Sequence, residues 1–202
     1  MCTLRNFPNQ IEHCIEWGRD LFNRQFFDTP NDVISYIEKP QVFLGQLKQN
    51  TTITGVRTAM EEVKKMVDLK KSADFKKCIE VARLAFEKYF NHDIANLLHI
   101  FPEDHKDKDG QPFWSGPKRA PHPIPYNPDD PLHAHFIVSC ANLIAYNLGI
   151  PQNRNTKEIA YEAAKISVPE FKPKQVKILL PGEENKQQEQ QEVAPEDEEV
   201  LA

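Results

Sequence analysis

The chain has 202 residues, a formal charge of −5 and 40% apolar residues, enough for one domain with a sizeable core. An acidic balance excludes a general nucleic-acid binder, because phosphate contacts need clustered Lys and Arg. No apolar run approaches the roughly 20 residues of a spanning helix, and no charged start with an apolar block marks a secretory signal, so a cytosolic or nuclear protein is expected.

Taken in chain order, the first helix is expected to start at Pro8, tolerated in a first turn because its missing N–H would be unpaired there. Ile11, Cys14, Ile15, Gly18, Leu21 and Phe22 recur at steps of three and four and give it an apolar face. A shorter helix follows Asp28-Thr29-Pro30 with Val33, Ile34 and Ile37 inward, and Pro40 closes it and opens a turn around Val42, Phe43 and Leu47. From Thr54 to about Lys70 a charged helix carries Val56, Met60, Val63 and Val67 on one side. The strongest helical period runs from Ala73 to about Tyr89, through Phe75, Cys78, Ile79, Ala82, Ala85 and Phe86. Asn91-His92 is expected to break it before a turn carrying Ile94, Leu97 and Leu98.

Between Phe101 and Asp130 the periodicity stops in a segment rich in proline and charge. Loops longer than about 12–15 residues are uncommon in compact domains, and Phe113 and Trp114 predict an ordered loop pinned by aromatics. Asp130 then reads as an N-cap and Pro131 as a first helical residue, with Phe136, Ile137, Cys140, Ala141 and Ile144 on the helix and Gly149 as its C-terminal cap. A last helix spans about Thr156 to Lys165, and one short strand is expected at 176–180. From Gly182 the chain is rich in Glu and Gln, a composition that predicts a disordered acidic tail or linker. The expected fold is mainly α, a multi-helix single domain over 1–181 with a long ordered Pro-rich loop and little or no β.

The four cysteines suffice for two disulfides by arithmetic, but a reducing compartment makes free thiols the default. Cys14, Cys78 and Cys140 fall on apolar helix faces and are expected to be core residues. Cys2 stands ahead of the first helix, with Thr3 beside it and Arg5 three residues on. A guanidinium and a helix N-terminus both favour the thiolate, and a shift of one pKa unit raises the thiolate fraction roughly tenfold. From position alone the simplest account is a chance residue at a chain end. His133 and His135 do not read as a zinc pair, since helical residues two apart point to different sides and no CxxC or HExxH accompanies them. "DKDGQPFW" at 107–114 fails as a calcium loop, because the twelfth position would be Gly116 where a bidentate Glu is needed. There is no phosphate-binding glycine motif. Lys118 and Arg119 in "FWSGPKR" read as part of a surface loop anchored by Trp114.

Four ordered blocks change the weight on Cys2. "MCTLRNFPNQIEHCIEWGRDLF" at 1–22, "FNHDIANLLHIFPED" at 90–104, "PFWSGPKRAPHP" at 112–123 and "VPEFKP" at 168–173 together resemble ubiquitin-activating enzymes. More narrowly, they resemble the second catalytic cysteine half-domain. Activating enzymes for the small ubiquitin-like modifiers share the Cys-Thr start but not the FWSGPKR block, which favours the ubiquitin branch.

The resemblance implies that an adenylation domain elsewhere in the same chain uses ATP and magnesium to make a ubiquitin acyl adenylate. Cys2 then attacks the adenylate, with Thr3 and Arg5 as supporting residues, and ubiquitin passes as a thioester to a conjugating enzyme. It implies no role in the chemistry for Lys118 or Arg119. The 202 residues contain no adenylation sequence and read as an excised, monomeric domain. This piece is expected to bind no cofactor, nucleic acid or membrane and to be inactive alone, with its 182–202 tail leading towards the missing adenylation domain. A non-catalytic helical interaction domain of the same fold and a cysteine domain serving another ubiquitin-like modifier are the alternatives. A free-standing thiol hydrolase lacks an evident His partner in sequence.

Overall fold

The structure, a computed structural model, describes residues 7–174. The strand expected at 176–180 and the acidic tail from 182 lie outside the described residues. Within them the chain is mainly α, as the periodicities require, and no strand is formed; one isolated antiparallel bridge joins Lys106 and Pro112. The helices pack as two compact units, one covering Glu12–Leu69 and the other residues 7–11 and 70–174.

The first unit holds α1 (Ile11–Asn23), α2 (Thr29–Glu38), α3 (Pro40–Asn50) and most of α4 (Ile53–Ser72). The helix expected from Pro8 begins three residues later, at Ile11. Between α1 and α2 the backbone widens by one residue over Arg24–Asp28, where the Thr29 N–H donates to the Arg24 carbonyl. Pro30 stands in the first turn of α2 and Pro40 in that of α3, where a missing N–H costs nothing. The α4 expectation holds: Val56 and Val63 are buried, and Met60 and Val67 are half-buried.

Two inward faces read from the period do not hold. Ile34 and Ile37 are exposed, while Val33 and Tyr36 turn inward and Tyr36 packs edge-on against the buried Phe43. On α1, Ile11, Cys14, Ile15 and Phe22 are also exposed. An amphipathic period marks an apolar face, but burial needs an element on top of it. Among the described residues this face has none that covers it.

The second unit is built on α5 (Phe75–Glu87) packed along α7 (Pro131–Leu148), with α8 (Thr156–Ala164) against both. Asp74 caps α5 by accepting from the Lys77 N–H, and Asn155 caps α8 by accepting from the Glu158 N–H. Their seam buries Cys78, Ala82, Phe86, Ile137, Ala141, Ala145 and Ile159. Small residues on α7 let the backbones approach, and Phe86 fills the remaining space against Phe90, Tyr126, His133 and Phe136. Burying one such ring stabilises by about 1.5–3 kcal/mol.

Asn91-His92 does not break the chain here. Lys88–His92 forms a second widened turn, with the Asp93 N–H bonded to the Lys88 carbonyl, and α6 (Asp93–Ile100) follows without interruption. The caps of α7 are as the sequence dictates. Asp130 accepts from the N–H groups of Leu132 and His133, and Gly149 ends the helix at φ 65°. The Lys70 ammonium donates to the Leu148 carbonyl at the same end.

Candidate active site and its anchor

The residues assigned to the chemistry, Cys2, Thr3 and Arg5, lie outside the described residues. Phe7 is the first described residue, and it is buried, only 5% exposed. Its ring lies 5.8 Å from Phe113, 6.0 Å from Trp114 and 6.2 Å from Phe101. Phe101 and Phe113 stack in parallel at 4.4 Å, and the Lys118 ammonium sits 3.9 Å from the Phe113 centroid and 5.1 Å from that of Phe7.

This box is made by the Pro-rich loop expected to be ordered. The Trp114 indole N–H is shared between the carbonyls of Phe101 and Pro102, at 3.0 and 3.1 Å. The turn at 107–111 folds around Asp107, whose carboxylate accepts from the N–H groups of Asp109 and Gln111. Those are the carboxylate's internal bonds in a tight turn, in which Gly110 has φ 77°. The Phe113 N–H then donates to the His105 carbonyl at 2.8 Å. Farther on, Gly116 at φ 59° and the bond from the Lys118 N–H to the Ser115 carbonyl bring Lys118 back over the rings. Lys118, left without a role by the sequence, thus makes a cation–π contact worth about 0.5–2 kcal/mol.

The other end of the described chain is held nearby in the fold. Phe171 stacks on His92 at 4.0 Å, and the Lys174 N–H donates to the Asn96 side chain. His92 immediately precedes α6 and Phe101 immediately follows it, so both end segments are fastened at the two ends of one helix about 12 Å long. Sequence reading missed Phe7. The signal was an aromatic residue next to Pro8, with Phe101, Phe113 and Trp114 in a loop that needed something to enclose.

The described cysteines differ sharply. Cys78 and Cys140 are buried as expected. Burial, reinforced by the Asp74 carboxylate, pushes the Cys78 thiol up, and burial together with Cys78 pushes Cys140 up to about 12. Both are held as neutral thiols, poor nucleophiles at neutral pH. Cys14 corrects the expectation of a core position: it is exposed on α1.

His133 and His135 point to different sides, as their spacing requires. His133 is half-buried and accepts from the Asn127 N–H through Nδ1, while His135 is exposed. Among the described residues no three His, Cys, Asp or Glu side chains are placed to share a metal ion. In the first unit an open groove of about 410 Å³ is lined by Arg24, Asp28, Thr29, Asp32 and Glu62 among others. Burial and the neighbouring carboxylates Asp28 and Glu62 raise the Asp32 pKa there.

The sequence pattern of the family described as "Ubiquitin-activating enzyme, SCCH domain" matches residues 8–202, beginning one residue after Phe7. The chain is 44% identical over 178 residues to ubiquitin-like modifier-activating enzyme 1 of Dictyostelium discoideum, covering 88% of this chain and 17% of that protein. It is 40% identical to ubiquitin-activating enzyme E1 1 of Schizosaccharomyces pombe over 86% of this chain and 17% of that one. Against ubiquitin-like modifier-activating enzyme 1 of Homo sapiens the identity is 33%, over 91% and 17%. The chain therefore spans about a sixth of the length of the curated relatives it matches.

Proposed function

The chain belongs to the SCCH-domain family of ubiquitin-activating enzymes, and on that premise we propose that Cys2 is the nucleophile that accepts ubiquitin. The Cys2 thiolate attacks the carbonyl carbon of the ubiquitin C-terminal acyl adenylate. The bond from that carbon to the phosphate oxygen breaks, AMP leaves with the electron pair, and a thioester forms. The thiolate of a conjugating enzyme then attacks the same carbon and Cys2 departs as thiolate. Splitting one acyl transfer into two thiol steps keeps the acyl group activated throughout. Thr3 and Arg5 support the step, Arg5 by favouring the thiolate. ATP and magnesium act in an adenylation domain elsewhere in a longer chain, in the cytoplasm and nucleus, and this piece alone does not activate ubiquitin.

The observation that carries the assignment is the state of the other thiols. Cys78 and Cys140 are sealed in the α5–α7 seam with raised pKa values, which leaves Cys2 and the exposed Cys14. Cys14 is fixed inside α1, whereas Cys2 stands in the C-T-L run on which the resemblance to the family places the nucleophile.

The test uses the complete activating enzyme. Cys2→Ala is expected to preserve ATP–pyrophosphate exchange, which reports the adenylate, and to abolish the reducible ubiquitin adduct. Cys14→Ser is expected to preserve both. An adduct that survives Cys2→Ala and disappears in Cys14→Ser would transfer the role to Cys14. Loss of neither would favour the non-catalytic interaction domain.

A further inference from the structure

We draw no further inference here: the strongest candidate, the exposed apolar stripe of Ile11, Ile15 and Phe22 along α1 in the first unit, carries none, because nothing in the structure shows what covers it.

Discussion

Arg83 donates from Nη2 to Glu87 Oε1 at 2.6 Å, one turn apart on α5, with each side chain only 9% exposed. The guanidinium lies 4.5 Å from the Tyr126 ring centroid, and the Tyr126 hydroxyl donates to the Ala160 carbonyl. The pair thereby joins α5 to the segment that leads into α7 and to α8. Among the described residues Arg83 Nε and Nη1 have no acceptor, so the pair's desolvation is only partly offset. Glu87→Ala should cost about 3–5 kcal/mol, because it leaves a buried cation unpaired. Replacing both residues by apolar ones, Arg83→Met with Glu87→Leu, should be close to neutral. The exposed Lys88–Asp93 pair at 2.8 Å should contribute less than about 1 kcal/mol. Urea unfolding of the chain distinguishes the three.

Cys140 gives the stability a pH dependence with a definite sign. Its thiol is raised in the fold from an ordinary 9.0 to about 12. Between those values the unfolded chain loses the proton and the folded chain keeps it, so the folded state binds more protons and stability falls as pH rises. The contribution is complete below about pH 9 and is lost progressively from there up to about pH 12. At pH 10 the loss from this group is about 1.4 kcal/mol. Cys140→Ala should unfold with a shallower decline between pH 8 and 10 than the wild type. Equal slopes in the two proteins would contradict the assignment.

Gly149 closes α7 at φ 65°, where an L side chain is strained by about 1–2 kcal/mol. A Cβ there would meet only the Lys70 Nζ at 3.8 Å, an ordinary contact, so the penalty is conformational and not steric. Gly149→Ala should therefore lower Tm by several degrees, and Gly149→Asn by less. At the other end, Asp130→Ala removes the acceptor of the Leu132 and His133 N–H groups and should cost about 1 kcal/mol. Thermal melts followed by circular dichroism measure both.

These caps were legible because their chemistry is local. Asp130, Pro131 and Gly149 specify the limits of α7 through adjacent backbone groups alone, and the structure agrees to the residue. The burial of Cys78, Phe86, Ile137 and Cys140 was legible for a related reason: two long periodic faces of one unit meet each other. The 101–130 loop was readable as ordered from its aromatics, whereas the widened turns at Arg24–Asp28 and Lys88–His92 carry no local signature.

The sequence by itself determined the helical class, the ends of α7, the buried thiols and the blocks that carry the family resemblance, because propensity, period and capping act over a few residues. Only the tertiary structure decided which apolar faces are covered. Ile11, Cys14, Ile15, Ile34 and Ile37 obey the helical period and are exposed, since burial depends on what lies opposite. It also decided that Phe7 enters a box of Phe101, Phe113, Trp114 and Lys118. Those residues are about a hundred positions away, and no pattern of period two or 3.6 connects them; side-chain packing across that distance is what brings them to one point.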